Sequence, residues 1–344
     1  YRFQNTQVIT STHSTHISSA NKINSINILC KENQETVVCH PSKGLSTDEC
    51  RKIERYLDAT RSTLLFAKGV VLVEGDAELI LIPVIFKKIF GLSLDEIGVS
   101  LVNVNSTVFD HISNLFHNER IKRKCSIITD HDQSLADLGP EKEGETEQIK
   151  KFRNSQKKGQ ERKDKLDTYC QDNPWVEAFY AKHTFEIDFV LNDNVNTVIR
   201  TLNNIYKQEK AITESERLLN SGDDVKVGLE TLRLADKVVG KGWFALILAD
   251  EIDFNTNTNI PKYILDAIVF ASKHIGYHHF EKIAKYRIHH CCGEEKCLEF
   301  SVLTKDLDSS NKNLNHLSGI ALDYLSYDDA LFPLIDAYQG EKQC

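Results

Sequence analysis

The chain has 344 residues, enough for about two domains that each bury a core. Hydrophobic residues make up 41% and charged residues 27%, as in ordinary soluble globular proteins, and no apolar run approaches the ~20 residues that a membrane-spanning helix needs. The net charge of -8 excludes a protein that is basic throughout, so any nucleic-acid contact has to come from a local basic surface. Scattered cysteines, and a start at Tyr1–Gln4 without a signal-peptide pattern, predict a reduced cytoplasmic protein with no membrane partner.

Residues 7–16 read Gln-Val-Ile-Thr-Ser-Thr-His-Ser-Thr-His. A short strand ending in Thr12-His13-Ser14 resembles the last strand and switch histidine of ABC-type ATPases, where the histidine contacts the nucleotide γ-phosphate across a dimer. The alternative is a histidine that merely follows a strand, since short motifs often match by chance. The chain contains no Gly-x-x-x-x-Gly-Lys-Ser/Thr loop. The resemblance therefore implies the tail of an ATPase domain, with His13 as a nucleotide-binding residue and no ATP hydrolysis by this chain alone.

Residues 22–38 predict two short strands, and residues 46–64 predict a helix. Ser46 is expected to cap that helix together with Glu49 three residues later, which is the capping-box pattern. Apolar residues at helical spacing mark its buried face. They are Ile53, Leu57 and Leu64.

Two apolar, β-branched runs of strand length follow, at residues 69–73 and 125–129. Each has the pattern of a buried parallel strand. Between them lie a predicted helix at residues 77–90 and a third predicted strand at residues 98–103. The order strand, helix, strand, helix, strand is typical of a doubly wound α/β fold, which binds ligands at the carboxyl edge of its sheet.

Carboxylates follow both runs directly. Glu74 ends the first run, Gly75 lets the backbone turn tightly, and Glu78 lies in the first turn of the next helix. Asp130 and Asp132 end the second run two residues apart, so in an extended segment both point to the same side. A lone acid at a strand end is usually just solvated. Four acids at one edge indicate a site for a hard divalent cation such as Mg²⁺, without which they repel one another and raise their pKa values.

This combination of an apolar strand with Glu-Gly and an apolar strand with Asp-x-Asp resembles the TOPRIM catalytic domain of topoisomerases, primases and several nucleases. More narrowly, residues 65–78, with the His13 segment before them and residues 127–132 after them, are similar to the OLD (overcoming lysogenization defect) family of ATP-dependent nucleases. That family includes the nuclease subunit of the Gabija antiphage system and retron-associated effectors. Glu78 matches the nuclease subset of the family.

Residues 133–172 are hydrophilic and have almost no apolar periodicity. Within residues 148–165, eight Lys or Arg against two acids leave a local charge of +6. One interpretation is a solvated, partly disordered insertion, because charge runs usually are. The other is a strip that holds DNA phosphates beside the metal site, and both hold if the strip orders on DNA. The DNA-binding candidates are Lys150, Lys151, Arg153, Lys157 and Lys158.

A fourth strand is predicted at residues 175–181. The following Thr184-Phe185-Glu186 resembles the Thr-x-Glu segment of the family, which implies that Glu186 is a further carboxylate near the metal, with Asp188 as a second candidate. Residues 192–234 read as helices and connections.

Residues 240–245, Gly-Lys-Gly-Trp-Phe-Ala, are similar to the family motif Lys-Gly-x-Phe-Ala, and residues 260–264 also fit the family. The first motif implies that Lys241 reaches the nuclease centre, where an ammonium stabilises charge on the phosphate or leaving oxygen. Glycines on both sides let its backbone approach closely. The alternative is an exposed lysine at a helix end.

From residue 274 onward there is no further resemblance. Residues 289–297 carry histidines and cysteines that could ligate zinc, but their spacing is wrong for paired Cys-x-x-Cys knuckles. Half-buried soft side chains in a helical tail are the alternative. An amphipathic helix is predicted at residues 317–334.

The resemblance implies a TOPRIM (Rossmann-like) parallel sheet with flanking helices, a helical subdomain and a fragment of an ABC-type ATPase. The expected division is an ATPase tail and connecting helix at 1–64, a TOPRIM nuclease domain at 65–190 with a charged insertion at 133–172, a helical part completing the site at 191–270, and a helical extension at 271–344.

The expected activity is hydrolysis of DNA by an endonuclease with two Mg²⁺ or Mn²⁺ ions roughly 4 Å apart, regulated by ATP in the full-length protein and used in antiphage defence. The implied metal ligands are Glu74, Glu78, Asp130, Asp132 and Glu186. Glu74, Asp130, Asp132 and Lys241 are the implied catalytic residues, with Glu74 either a ligand or the general base.

The implied partners are DNA, further copies of the chain in a homo-oligomer, and an accessory helicase or retron component. An alternative is a TOPRIM-like module that binds DNA or protein without cutting, as part of an ATPase switch. A primase or topoisomerase fits less well, because no zinc-ribbon context and no catalytic tyrosine motif stand out.

Overall fold

The computed structural model describes residues 7–32, 35–58, 61–105, 109–141, 144–253, 258–305 and 312–340. The start segment 1–4 lies outside the described residues, as do residues 33–34 and 59–60 within two predicted elements. None of the helices in the described ranges is long and apolar enough to cross a membrane.

The strands form two separate sheets. They are Ile28–Glu32 (β1), Glu35–Cys39 (β2), Gly69–Val73 (β3), Val99–Asn103 (β4), Cys125–Asp130 (β5) and Val176–Ala181 (β6). β1 and β2 pair antiparallel, and the other four form a parallel sheet in the order β4-β3-β5-β6. The predicted α/β fold with a parallel sheet is therefore confirmed.

Helices make up most of the remaining described chain. They are Thr15–Ser19 (α1), Thr47–Tyr56 (α2), Asp76–Phe90 (α3), Phe109–Ser113 (α4), Glu147–Cys170 (α5), Phe185–Phe189 (α6), Val195–Ile205 (α7), Glu209–Leu219 (α8), Asp224–Arg233 (α9), Lys241–Glu251 (α10), Lys262–Ala271 (α11), Tyr277–Cys292 (α12), Glu294–Lys305 (α13), Leu314–Ala321 (α14) and Leu331–Gly340 (α15). Short 3₁₀ helices lie at Ile23–Ser25 and Arg61–Leu65, and π-helical turns lie at Val190–Asn194 and Leu234–Val239.

The parallel sheet has a hydrophobic core on each face. Successive side chains of a strand point to opposite faces, so Val71 and Val73 pack in the larger core while Val70 and Leu72 pack in the smaller one. The larger core joins the sheet to α3, α10, α11 and the C-terminal helices, and the smaller core joins it to α2 and α4. Each fully buried Val or Leu contributes roughly 1.5–3 kcal/mol, so these cores hold the carboxyl edge of the sheet rigidly.

Two predicted helices have different limits in the structure. The helix predicted at 46–64 keeps its capping box but ends at Tyr56, and the Asp58 carboxylate then accepts from the Arg61 backbone N–H at 2.8 Å to begin a separate 3₁₀ turn. The helix predicted at 317–334 is divided into α14 and α15. The Asp329 carboxylate caps the second of these by accepting from the Leu331 N–H at 3.0 Å.

The strand predicted before His13 is wrong. Residues 7–14 are not extended into a strand, and Val8 and Ile9 are 80% and 86% exposed. A strand is stabilised by hydrogen bonds to a neighbouring strand. In the part of the chain that the structure describes, no strand pairs with this segment.

The interpretation of the charged insertion as partly disordered is wrong for residues 147–170, which form the helix α5. Thr146 caps it by accepting from the Ile149 N–H at 3.4 Å. Leu166 lies in the smaller core beside Val176 of β6. Packing of this buried residue, together with side chains that favour helix, stabilises the helical state of α5 although its apolar periodicity is weak.

Candidate metal centre

Parallel pairing brings Glu74 and Asp130 to the same edge of the sheet. β3 and β5 are neighbours with Leu72 opposite Ile127, so the two strands end side by side. Glu74 follows β3 directly, and its Oε1 accepts a hydrogen bond from the Thr129 hydroxyl on β5. Asp130 is the last residue of β5. The two carboxylates therefore lie together for the reason that the sequence indicated.

Glu78 joins them from the first turn of α3, where it is only 6% exposed. The expectation that Gly75 serves to turn the backbone is wrong, because its φ of -141° is extended backbone that any residue adopts. A Cβ at Gly75 would lie 3.1 Å from Glu78 Oε2. Glycine is therefore suited to this position because it leaves room for the Glu78 carboxylate.

Asp132 reaches the site in a different way from the one expected. β5 ends at Asp130, and Asp132 has a left-handed φ of 57°, so the argument from strand alternation is wrong. Its backbone N–H donates to the His183 carbonyl at 3.0 Å, which fixes the turn beside the end of β6. Its carboxylate lies near Glu74 and contacts Arg162 of α5 at 2.9 Å.

Glu186 and Lys241 meet although they are far apart in sequence. Glu186 lies in the first turn of α6 and is 3% exposed, and its Oε2 is 3.2 Å from Lys241 Nζ at the start of α10. Asp236 lies 3.9 Å from the same ammonium. Gly240 precedes α10 with a φ of 87°, a conformation that favours glycine. A Cβ at Gly240 would meet nothing within 4 Å, and at Gly242 its nearest neighbour would lie at 3.9 Å, an ordinary contact. The expectation that these glycines allow a close approach is therefore wrong for both, and only the positive φ of Gly240 favours glycine.

The acids raise one another's pKa values. Burial, with the charges of Glu186 and Glu74, raises the pKa of Glu78 to about 7. Burial and the neighbouring glutamates likewise raise the pKa of Asp130 well above its usual range. Burial raises the pKa of Glu74, although the Thr129 hydroxyl and Arg162 oppose the change. The site therefore binds either protons or cations in preference to standing fully ionised.

Lys241 supplies part of the missing positive charge. Burial works against its ammonium, but the charges of Glu186, Asp130 and Asp236 outweigh burial and raise the pKa of the lysine. One ammonium cannot balance so many carboxylates. The donors are all hard oxygens, which is the set that Mg²⁺ and Mn²⁺ prefer.

The carboxylates are not closed around a common point. Among the residues that the structure describes, no three Asp, Glu, His or Cys side chains are arranged as a metal-binding group. Glu74 is engaged by Thr129, Asp132 by Arg162 and Glu186 by Lys241. The donor set fits a divalent cation in its chemistry, and ligation requires these side chains to change partners.

Two residues near the acids were not predicted for the site. Arg162 was counted in the basic run, but nothing in the sequence indicated that it reaches Asp132. The Tyr263 hydroxyl is buried without a hydrogen-bond partner in the described structure, and burial together with Asp130 and Asp188 raises its pKa strongly. Its place within residues 260–264, which fit the family, was the available signal. Asp188 accepts from the backbone N–H groups of Lys182 and His183, so it anchors a loop.

The basic candidates of α5 differ in their surroundings. Arg153 is held by Glu145 at 2.7 Å and by the Leu138 and Gly139 carbonyls, so it closes its own loop. Lys150 pairs with Glu147 at 3.0 Å. The other three candidates, Lys151, Lys157 and Lys158, are exposed.

His13 and the histidine-cysteine segment lie outside this cluster. The His13 ring is 5.9 Å from the Phe66 ring, and its role with a nucleotide stays a prediction. Cys292 and Cys297 donate to backbone carbonyls of Tyr324 and Lys285 at 2.9 and 3.4 Å.

A parallel sheet that carries a glutamate after one strand and an Asp-x-Asp pair after its neighbour defines a TOPRIM domain. Residues 65–132 match the family model described as overcoming lysogenization defect protein-like, TOPRIM domain. This part of the chain is thus an OLD-like TOPRIM domain, and the resemblance to the OLD family is confirmed. Such a domain points to a nuclease-type hydrolase family, and TOPRIM domains generally bind divalent metal ions.

Solved structures similar to the chain include C-terminal regions of two OLD proteins. For that of Burkholderia pseudomallei the identity is 20% and the TM-score 0.43, over 61% of this chain and 98% of the other. For that of Xanthomonas campestris pv. campestris the identity is 21% and the TM-score 0.41, over 66% and 99%. No curated protein matches the chain.

Proposed function

We propose that this chain carries the nuclease centre of a DNA endonuclease that hydrolyses phosphodiester bonds with two Mg²⁺ or Mn²⁺ ions. The observation that supports this most is the closeness of Glu74, Glu78, Asp130 and Glu186, whose charges, together with burial, raise the pKa values of Glu78 and Asp130. Burying like charges costs free energy, and a divalent cation is the ligand that offsets it.

The proposed ligands are Glu74, Glu78, Asp130, Asp132 and Glu186. When bound, the ions supply a water activated at neutral pH and neutralise charge on the phosphate. Lys241 holds Glu186 in place and carries an ammonium at the edge of the site, where it would contact a phosphate oxygen. Glu74 acts either as a ligand or as a general base, because Thr129 fixes one oxygen and leaves the other for a ligand or proton.

The DNA would lie along α5. Lys151, Lys157 and Lys158 are exposed there, and Lys151 is near enough to Asp236 for its charge to oppose the raised pKa of that acid. Asp236 in turn lies 3.9 Å from Lys241, so the basic face of α5 continues to the acid cluster. Phosphate contacts of this kind position a duplex without reading its sequence.

The wider setting is proposed from the family resemblance alone. In it the nuclease works inside the cell in antiphage defence, under an ATPase domain whose nucleotide His13 would contact. Homo-oligomerisation and an accessory helicase or retron component belong to the same proposal.

A plasmid-nicking assay tests the proposed activity. We expect the purified protein with Mn²⁺ to convert supercoiled DNA to nicked or linear forms, and we expect Glu74→Gln and Asp130→Asn to abolish this. Glu299→Gln is the matched control, since Glu299 pairs with Lys296 on the remote helix α13. The proposal is refuted if the parent protein leaves the plasmid intact, or if the Asp130→Asn variant cleaves it as well as the parent does.

A non-cleaving module that binds DNA or a protein is the second candidate. It is favoured by the observation that, in the described ranges, the acids are engaged by other side chains and form no ready metal group. Equal DNA binding with and without Mg²⁺, combined with no cleavage, would support it.

A further inference from the structure

Arg162 of α5 reaches across to the acids at the carboxyl edge. Its Nη2 lies 2.9 Å from Asp132 Oδ2 and also donates to the Asp130 backbone carbonyl, and its Nε lies 3.5 Å from Glu74 Oε1. The guanidinium therefore stands between two of the proposed metal ligands, Glu74 and Asp132. It makes no contact with the carboxylates of Glu78 or Glu186 among the described hydrogen bonds and ion pairs.

The position of Arg162 is set by close packing of α5 on the Asp-x-Asp loop. A Cβ at Gly159 would lie 2.0 Å from the His131 carbonyl oxygen, so only glycine allows the helix this near. The next residue, Gln160, also contacts the loop, with its Oε1 2.8 Å from His131 Nε2. Because helix and loop are in direct contact, a shift of α5 moves Arg162 relative to both carboxylates.

The guanidinium is not fully satisfied in this place. Its Nε is buried and has no hydrogen-bond acceptor of suitable geometry in the described structure, although Glu74 lies within ion-pair distance. The facing oxygen of Glu74 accepts from Thr129 instead. A buried ion pair that lacks one of its hydrogen bonds is less stable than a fully bonded one. An anion that accepts hydrogen bonds from the guanidinium with better geometry can therefore displace Glu74 and Asp132 from Arg162.

We propose that Arg162 competes with a divalent cation for Glu74 and Asp132, so that this half of the metal centre is loaded only when the arginine leaves. The inference rests on the proposed function, since it concerns the same carboxylates. A guanidinium and a metal ion are both positively charged, so neither can approach these oxygens closely while the other is bound there. Arg162 does not contact Glu78 or Glu186 among the described ion pairs, and the cation that pairs with Glu186 is Lys241.

A phosphodiester is the substrate class that releases the arginine. Arg binds phosphate oxygens through two parallel N–H donors, and the exposed Lys157 and Lys158 lie on the same helix. A DNA phosphate that takes Arg162 frees Glu74 and Asp132 for the metal. By thermodynamic linkage, DNA then raises the affinity for the metal, and the metal raises the affinity for DNA.

Titration calorimetry with Mn²⁺ and no DNA tests the competition. We expect Arg162→Gln to bind Mn²⁺ at least about tenfold more tightly than the parent protein, or to gain a second bound ion. Arg162→Lys keeps a cation in place and should bind like the parent. Lys163→Gln is the matched control, because Lys163 pairs with Asp167 on the same helix and not with the acid cluster. Unchanged or weaker binding by Arg162→Gln would overturn the inference.

A second measurement uses the parent protein alone, in case Arg162→Gln does not fold. We expect Mn²⁺ to bind at least about tenfold more tightly in the presence of a short duplex with uncleavable linkages. Equal affinity with and without duplex, or no Mn²⁺ binding at all, would overturn the inference. A protein that shows this coupling but never nicks DNA would remove the proposed function and leave the competition standing.

Discussion

Replacing Glu78 with glutamine is expected to stabilise the metal-free protein. Glu78 is 6% exposed, and burial among Glu186 and Glu74 raises its pKa from 4.5 to about 7. In a metal-free site its ionised form is therefore unfavourable in the folded protein, whereas a neutral amide of the same shape carries no such cost. Glu78→Gln removes one negative charge from the cluster and keeps the volume of the side chain.

The size and the pH range of this effect follow from the two pKa values. A tenfold change in proton affinity is worth about 1.4 kcal/mol, so the difference between 4.5 and about 7 corresponds to about 3 kcal/mol as an upper bound. The folded-state pKa lies above the unfolded one, so the protonated group stabilises the fold below pH 4.5. That stabilisation is lost as the pH rises through about 7. Glu78→Gln should accordingly match the parent at low pH and exceed it by up to about 3 kcal/mol near pH 8.

Urea unfolding in EDTA at a series of pH values measures the difference. Glu299→Gln serves as the control, because it neutralises an exposed carboxylate far from the site. Mn²⁺ should then stabilise the parent protein and raise the stability of Glu78→Gln less, since a ligand is missing. The reasoning is refuted if, in EDTA near pH 8, Glu78→Gln is no more stable than the parent, or if the difference does not grow with pH.

Three further predictions concern neighbouring parts of the site. Lys241→Met should abolish nicking and lower the free energy of unfolding by about 1–3 kcal/mol, because Glu186 is left buried without its partner; parent-like stability in urea would contradict this. Gly159→Val should cost about 2 kcal/mol or more, because its Cβ would overlap the His131 carbonyl, whereas Gly319→Ala meets nothing within 4 Å and should be tolerated in the same melts. The double variant Lys157→Gln, Lys158→Gln should weaken DNA binding and lower the slope of log affinity against log salt by about two, with Lys296→Gln as control; an unchanged slope would place the DNA elsewhere.

Much of the TOPRIM sheet was predictable because its signals are local. The buried strands β3 and β5 are continuous apolar runs, and α3 between them begins after a strand end with acids in its first turn. The capping box of Ser46 and Glu49 also needs only adjacent residues, and the structure contains it. Parallel pairing then brings Glu74 and Asp130 together without further information, because neighbouring parallel strands end at the same edge.

Elements that depend on distant contacts were predicted less well. α5 has few apolar residues, and its helical state depends on packing of Leu166 and on contact between Gly159 and the His131 turn. Asp132 is reached through a left-handed turn that is fixed by the His183 carbonyl, more than fifty residues away along the chain, so strand alternation misplaced it.

The sequence alone therefore determined which carboxylates lie at the sheet edge, since an apolar run and the acids that follow it are recognisable from neighbouring residues. Only the tertiary structure decided what those carboxylates face. The motif at residues 240–245 implied that Lys241 reaches the centre, but its pairing with Glu186 and the contact of Arg162 with Asp132 depend on helices that dock through two shared cores. The charge balance of the site is consequently a property of packing, because electrostatic energies depend on distance and burial that no linear pattern specifies.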